Sequence, residues 1–240
     1  MSFRNAVFIV GSPRPRVGKT LLARLLVDFH LLDARPVAAF DLGAGEACLR
    51  QFLPRHASAA DLGDIKGQMA IFDRLIADDG IAKIVDVGHG AFADFVKVAR
   101  EIGLVEEARR RSIAATVLFM ITPDKTSVDA YAGLRRQLAP TALVPVHNEI
   151  FGPAQYRDKF PPAGAAARAI RLPLLSAPLR PYLERQPFSF ADVGTGSPLD
   201  VPLDAHVELQ RWTRRVFVEF RELELQLLLA DLQSSIQVGW

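Results

Sequence analysis

The sequence predicts an α/β fold: a mostly parallel β-sheet flanked by helices in three layers, with a long helix at the C-terminal end. Three observations carry this. Short apolar runs alternate with segments of helical periodicity, the rhythm of repeated βαβ units. The apolar runs lack the polar alternation of a strand with one wet face, so they read as buried on both sides, as a helix-covered sheet requires. The first run, "VFIV", passes through "GSPRPRVGKT" straight into a helical pattern.

The strands are expected at 6–10, 36–41, 83–87, 115–121 and 142–146, with 169–172 a further candidate. Leu21, Leu22, Leu25, Leu26 and Phe29 follow helical spacing, which places a first helix over 19–32. Met69, Phe72, Leu75 and Ile76 mark a second helix, 92–105 a third, and Tyr131, Leu134 and Leu138 a fourth. Residues 151–204 hold nine prolines and read as loops with short strand or helix pieces. The last helix, 204–236, shows an apolar face of Trp212, Val216, Phe220, Leu223 and Leu227, widened by Leu225, Leu228, Leu229 and Leu232. It is expected to pack on the core or on a second subunit, within one domain spanning 1–240.

Composition excludes several classes. Half the residues are apolar and 23% are charged, the balance of a globular chain and not of a disordered one. A net charge of +2 is too small to act as an electrostatic footprint for nucleic acid. Cys48 is the only cysteine, so neither an internal disulfide nor a cysteine metal cluster can form, and a reducing cytoplasm is the expected setting. The run at 6–10 is too short for a signal segment, and no stretch reaches the roughly 18 apolar residues of a membrane span.

The loop after the first strand carries the chemistry. A phosphate loop reads G-x-x-x-x-G-K-[ST]: backbone amides and a helix N-terminus hold phosphate oxygens, the lysine neutralises them and the hydroxyl binds magnesium. Gly18, Lys19 and Thr20 supply the second half, while Pro13 stands at the first glycine position and the nearest glycine is Gly11. Pro13 and Pro15 lack amide donors, but Val17, Gly18, Lys19 and Thr20 keep theirs. The loop is stiffer, not empty. The plainer alternative makes Lys19 a solvated residue at a helix start. Farther on, "IAKIVDVGHG" is an apolar strand closing on Asp86, the arrangement that serves a magnesium ion in phosphate-loop proteins, or else a cap for the next helix. Gly88 and Gly90 permit a nucleotide-sensing loop there, and His89 reads as a surface histidine. The remaining histidines lack ligand spacing, so no transition metal is expected.

On these residues the chain resembles the ParA/MinD-type P-loop ATPases, as a compact, divergent member. Their loop reads K-G-G-x-G-K-[ST], with an added lysine that reaches the phosphates of a dimer partner. Arg14 falls at that lysine, and Pro15 and Arg16 replace the paired glycines. Arginine keeps the charge and can grip phosphate as a fork. The resemblance implies ATP or ADP held by Arg16, Val17, Gly18, Lys19, Thr20 and Leu21, with Mg2+ on Thr20 and Asp86 and catalytic roles for Lys19, Arg14 and Asp41. Asp41, in "FDLGAGE", matches the first aspartate of a D-x-D pair; the second is Gly43, which puts hydrolysis in question. Asn148 matches an asparagine that contacts adenine, though a strand-end asparagine is also a turn former. "RLPLLSAPLRPYLERQPF" resembles the segment that closes over the base. The likeness runs over 5–190, and the stretch from Asp41 to Asp86 is shorter than in partition ATPases.

Three functions follow. The first is a nucleotide-dependent dimeric switch that positions, partitions or assembles a cargo. DNA could meet Arg211, Arg214 and Arg215; the leucine-rich helix end carries Glu219, Glu222, Glu224 and Asp231 in place of a basic face, which disfavours a membrane surface. The second is a non-hydrolysing nucleotide-binding scaffold. The third is an ATP-dependent ligase resembling dethiobiotin synthetase, whose loop is close to "GSPRPRVGKT" but whose lysine-proline pair after the second strand is missing here.

Overall fold

A computed structural model describes residues 5–43, 48–139, 141–152, 157–165, 168–195 and 201–237. Among these residues seven strands form one sheet: β1 (Ala6–Gly11), β2 (Val37–Asp41), β3 (Ala57–Ala59), β4 (Ala82–Asp86), β5 (Ala114–Met120), β6 (Ala142–Asn148) and β7 (Ile170–Leu172). Their order is β3-β2-β4-β1-β5-β6-β7, and every neighbouring pair is parallel. Parallel strands must be joined by crossovers. Between β1 and β6 helices lie in these crossovers: α1 (Lys19–Leu32), α2 (Leu49–Phe52), α3 (Ile65–Leu75), α4 (Phe92–Glu101), α5 (Leu104–Arg110) and α6 (Lys125–Gln137); α7 (Arg180–Leu183), α8 (Phe190–Thr195) and α9 (Leu203–Gln237) follow β7.

The period-two geometry of β1 divides the core. Ala6, Phe8 and Val10 point into a cluster with Leu22, Leu25, Phe29, Phe190 and Phe220, from α1, α8 and α9. Val7 and Ile9 point the other way, among Phe72, Phe95, Leu104 and Tyr131 from α3 to α6. The result is three layers, α/β/α, with β1 buried at the centre of the middle one.

α9 lies along α1. Phe29 meets Phe217 and Phe220 at ring-centroid distances of 5.4 and 5.5 Å, and the Trp212 indole N–H donates to the Pro173 carbonyl at 2.9 Å. Leu225, Leu229 and Leu232 remain exposed.

The expected strands and long helices are present, with three refinements. The segment 92–105 is two helices, because Gly103 takes a left-handed φ of 65° and turns the chain between α4 and α5. A short edge strand, β3, pairs with β2 where the sequence gives no apolar run. The proline-rich region contributes β7, α7 and α8, and α8 packs on α1.

Candidate functional site

The chain leaves β1, forms α1 and crosses to β2, so β4 is inserted between β1 and β2; β5 pairs on the other side of β1. Connections therefore diverge at β1, and the crevice beyond its C-terminal end is where a doubly wound sheet offers a ligand site. Residues 12–18 lie there. Ser12 and Val17 are buried, whereas Arg14, Pro15 and Arg16 are exposed.

The loop takes a strained backbone despite its unusual residues. Gly18, just before α1, has φ 98°, and a Cβ there would sit 2.9 Å from Asn148 Nδ2. Arg16 has φ 57°, the left-handed region, at a position where the resemblance supplies glycine. A non-glycine residue there costs roughly 1–2 kcal/mol, so the surrounding contacts must hold it. Two of those contacts clamp Arg14: its carbonyl accepts from Lys19 Nζ at 2.5 Å, and its Nε lies 3.2 Å from Asp124 Oδ2. Asp124 in turn caps α6, accepting from the Ser127 amide.

Lys19, Thr20 and Asp86 come together. Thr20 Oγ1 donates to Asp86 Oδ2 at 2.7 Å, linking the first turn of α1 to the end of β4. Asp86 is 2% exposed, and its Oδ1 is buried without a hydrogen-bond partner among the described residues. Burial pushes its pKa up to about 6, helped by the neighbouring Asp41 charge and opposed by the Thr20 bond and by Lys19. Burial likewise lowers the Lys19 pKa, with Asp86 acting in the opposite sense. A cation beside Asp86 would relieve its burial cost, and the orphan Oδ1 gives it a site to accept one. Among the described residues no group of three or more His, Cys, Asp or Glu converges. Thr20 Oγ1 and Asp86 Oδ1 are oxygen donors of the kind Mg2+ takes together with phosphate and water.

Asp41 pairs in register with Asp86 across β2 and β4, so the two carboxylates close adjacent strands. Its Oδ1 accepts from the Gly43 amide at 2.8 Å and its Oδ2 from the Arg50 amide at 3.2 Å, with Arg50 Nε 3.7 Å away. Asp41 thus organises the backbone that follows β2. Asn148, at the end of β6, donates to the Val17 carbonyl at 3.2 Å and accepts from the Ile150 amide at 3.2 Å. Leu21 packs half-buried against the α1 side of the core. His89 is exposed, as expected of a loop histidine.

Sequence reasoning missed two participants. Asp124 and Arg50 act through contacts of 110 and 9 residues' separation or tertiary placement that no local pattern encodes, although "PDKTS" does carry a capping signal for Asp124. Sequence reasoning also missed Asp28, which is buried farther along α1 and belongs to a separate cluster with Arg24.

No protein-family model matches the sequence, and no curated protein matches it either. A solved structure does. The MinD cell division protein of Aquifex aeolicus superposes with a TM-score of 0.53 over 88% of this chain and 96% of that one, at 14% sequence identity. The chain has a MinD-like P-loop fold. At that identity the likeness establishes architecture, and in the MinD-like fold seen here loop 12–18, Lys19, Thr20 and Asp86 share one edge of the sheet. No described helix is long and apolar enough to cross a membrane.

Proposed function

We propose that this chain binds ATP with Mg2+ on the loop preceding α1, and that the bound nucleotide operates a dimeric switch in positioning, partition or assembly of a cargo. The observation that carries the reading is the convergence of Lys19, Thr20 and Asp86 at the central strand edge of a MinD-like fold. The amides at the start of α1 have no intrahelical partners by helix geometry, and the helix dipole favours an anion there. Lys19, now on the Arg14 carbonyl, would turn to phosphate. Thr20 and Asp86 would hold Mg2+, whose charge screens the phosphates. Arg14, released from Asp124, would face the phosphates of the partner in a face-to-face dimer.

A specific observation supports a second reading, the non-hydrolysing scaffold. Both Asp41 oxygens are engaged by backbone amides, and position 43, a glycine, offers no side chain to orient water. Slow or absent turnover is the corresponding expectation. A ligase resembling dethiobiotin synthetase is less favoured, since "FDLGAG" offers no lysine-proline pair. DNA as the positioning surface would engage Arg211, Arg214 and Arg215, which are exposed on α9.

The test is titration calorimetry with ATP and ADP in Mg2+, followed by turnover with and without DNA or liposomes. Lys19→Ala should weaken binding by about a hundredfold, since a buried charge-assisted contact to phosphate is worth about 3 kcal/mol. Equal affinity for both proteins counts against the site. Tight binding without turnover selects the scaffold; stimulated turnover selects the switch.

A further inference from the structure

Gly18 gives the loop a weakness. A glycine at φ 98° has almost as much freedom in the mirror-image region, so the peptide between Val17 and Gly18 can rotate at little cost. Its orientation matters because a trans peptide places its C=O and N–H on opposite sides. Whichever way the Val17 carbonyl points, the Gly18 amide points away from it. A flipped peptide would present an oxygen to an anion where a donor belongs.

One side chain fixes that orientation from outside the loop. Asn148 Nδ2 donates to the Val17 carbonyl at 3.2 Å while Asn148 Oδ1 accepts from the Ile150 amide at 3.2 Å. The two partners also settle which end of the carboxamide is which, since a carbonyl can only accept and an amide N–H can only donate. Asn148 itself closes a seven-residue strand whose other residues are buried, so its backbone is held by the sheet. Its Nδ2 also fills the space beside Gly18, 2.9 Å from where a Cβ would be. One of its two donors and one acceptor position are committed inside the protein.

We infer that Asn148 is a positioning residue for the phosphate loop: by pinning the Val17 carbonyl it aims the Gly18 amide, and so sets affinity for the phosphate chain irrespective of the base. This rests on the nucleotide reading and assigns the residue a task different from contacting adenine.

The two tasks separate with a ligand that has no base. Calorimetry compares Mg2+–ATP with Mg2+–tripolyphosphate for the wild type, Asn148→Ala and Asn148→Asp. The aspartate keeps the acceptor for Ile150 and sets an oxygen against the Val17 carbonyl. Asn148→Ala should lose about tenfold in affinity for ATP and the same factor for tripolyphosphate, one hydrogen bond's worth, and Asn148→Asp, which adds repulsion to that loss, should lose more for both, each leaving the ratio between the two ligands unchanged. Thermal unfolding of each variant, alone and with saturating ligand, confirms that the folded protein is being titrated; should the alanine variant not fold, the near-isosteric aspartate decides. Loss for ATP alone overturns the inference in favour of base contact, and unchanged affinity for both ligands overturns it outright. A wild type that binds neither ligand fails the nucleotide reading itself, and the inference with it.

Discussion

Helix α1 carries two clusters of buried charge, and they are built on different plans. At its first turn, Lys19 and Thr20 face Asp86 and Asp41 at the sheet edge; the cation rests on a single carbonyl and Asp86 Oδ1 has no partner among the described residues. One to three turns on, Arg24 and Asp28 are enclosed. Asp28 Oδ1 accepts from Ser189 Oγ at 2.7 Å and Oδ2 from the Phe190 amide at 2.6 Å, while Arg24 donates to the Leu183 carbonyl at 2.9 Å. The Arg24 guanidinium lies over Phe52, 3.8 Å from the ring centroid, with Phe188 and Phe190 close by. Burial pushes the Asp28 pKa up to about 6 and the Arg24 pKa down to about 9, so perturbed titration is common to both clusters. What separates them is enclosure and not satisfaction, since Arg24 Nε and Nη2 also lack hydrogen-bond partners among the described residues. The inner cluster is walled by aromatic rings and by backbone from 183–190, which suits a structural task; the outer one ends at a sheet edge.

The comparison can be broken by mutation, and the inner cluster should respond most. Asp28→Ala strips the acceptor from the buried Phe190 amide and the half-buried Ser189 hydroxyl and leaves Arg24 without its nearby opposite charge, which should cost about 3–5 kcal/mol of unfolding free energy in urea titrations. Adding Arg24→Met should restore part of that loss, because the uncompensated charge is then gone. Ligand affinity of the folded fraction should be unchanged in both. Lys19→Ala should show the reverse pattern, with stability within about 1 kcal/mol of wild type and the large loss confined to nucleotide binding. A Lys19 variant that unfolds as readily as the Asp28 variant would erase the distinction between the clusters.

How much of this was legible in the sequence follows the same division. β1, β2, β4, β5 and β6 were readable because strands buried on both faces are continuous apolar runs, and α1 because its leucines keep helical spacing. β3 was not: of its residues Ala-Ser-Ala, Ser58 and Ala59 are exposed, and it is a strand because the β2 edge was open to it. Gly103 was visible as a residue, but its left-handed turn was hidden within an unbroken apolar period. In the site, Gly18, Lys19 and Thr20 were readable from spacing, and Asp86 from its place at the end of an apolar strand. The clamp on Arg14 and the pairing of Asp28 with residues 161 and 162 positions away were not, because they are products of tertiary placement. A motif is local, whereas closure is a property of what the fold brings to it.

The smallest expected effect is also the sharpest on the outer cluster, and it concerns Asp86. Its folded pKa of about 6 lies above the model-peptide range, and the cause is burial first, with the Asp41 charge adding to it. For a carboxyl raised on folding, the native state holds the proton more tightly than the unfolded chain. The stabilisation is therefore fully present below the unfolded pKa near 4 and is lost as pH rises through about 6. Asp86→Asn keeps the acceptor for Thr20 Oγ1 and cannot ionise. It should be more stable than wild type by on the order of 1 kcal/mol at pH 8, and the difference should shrink toward zero by about pH 4. The same variant should lose the Mg2+ dependence of ATP binding, because the acceptor left on position 86 is neutral. Stability curves against pH for the two proteins, with and without Mg2+, read both effects together. Parallel curves across that window would mean that Asp86 is no more costly to ionise in the fold than in water, and the reason for a cation to settle beside it would go with that cost.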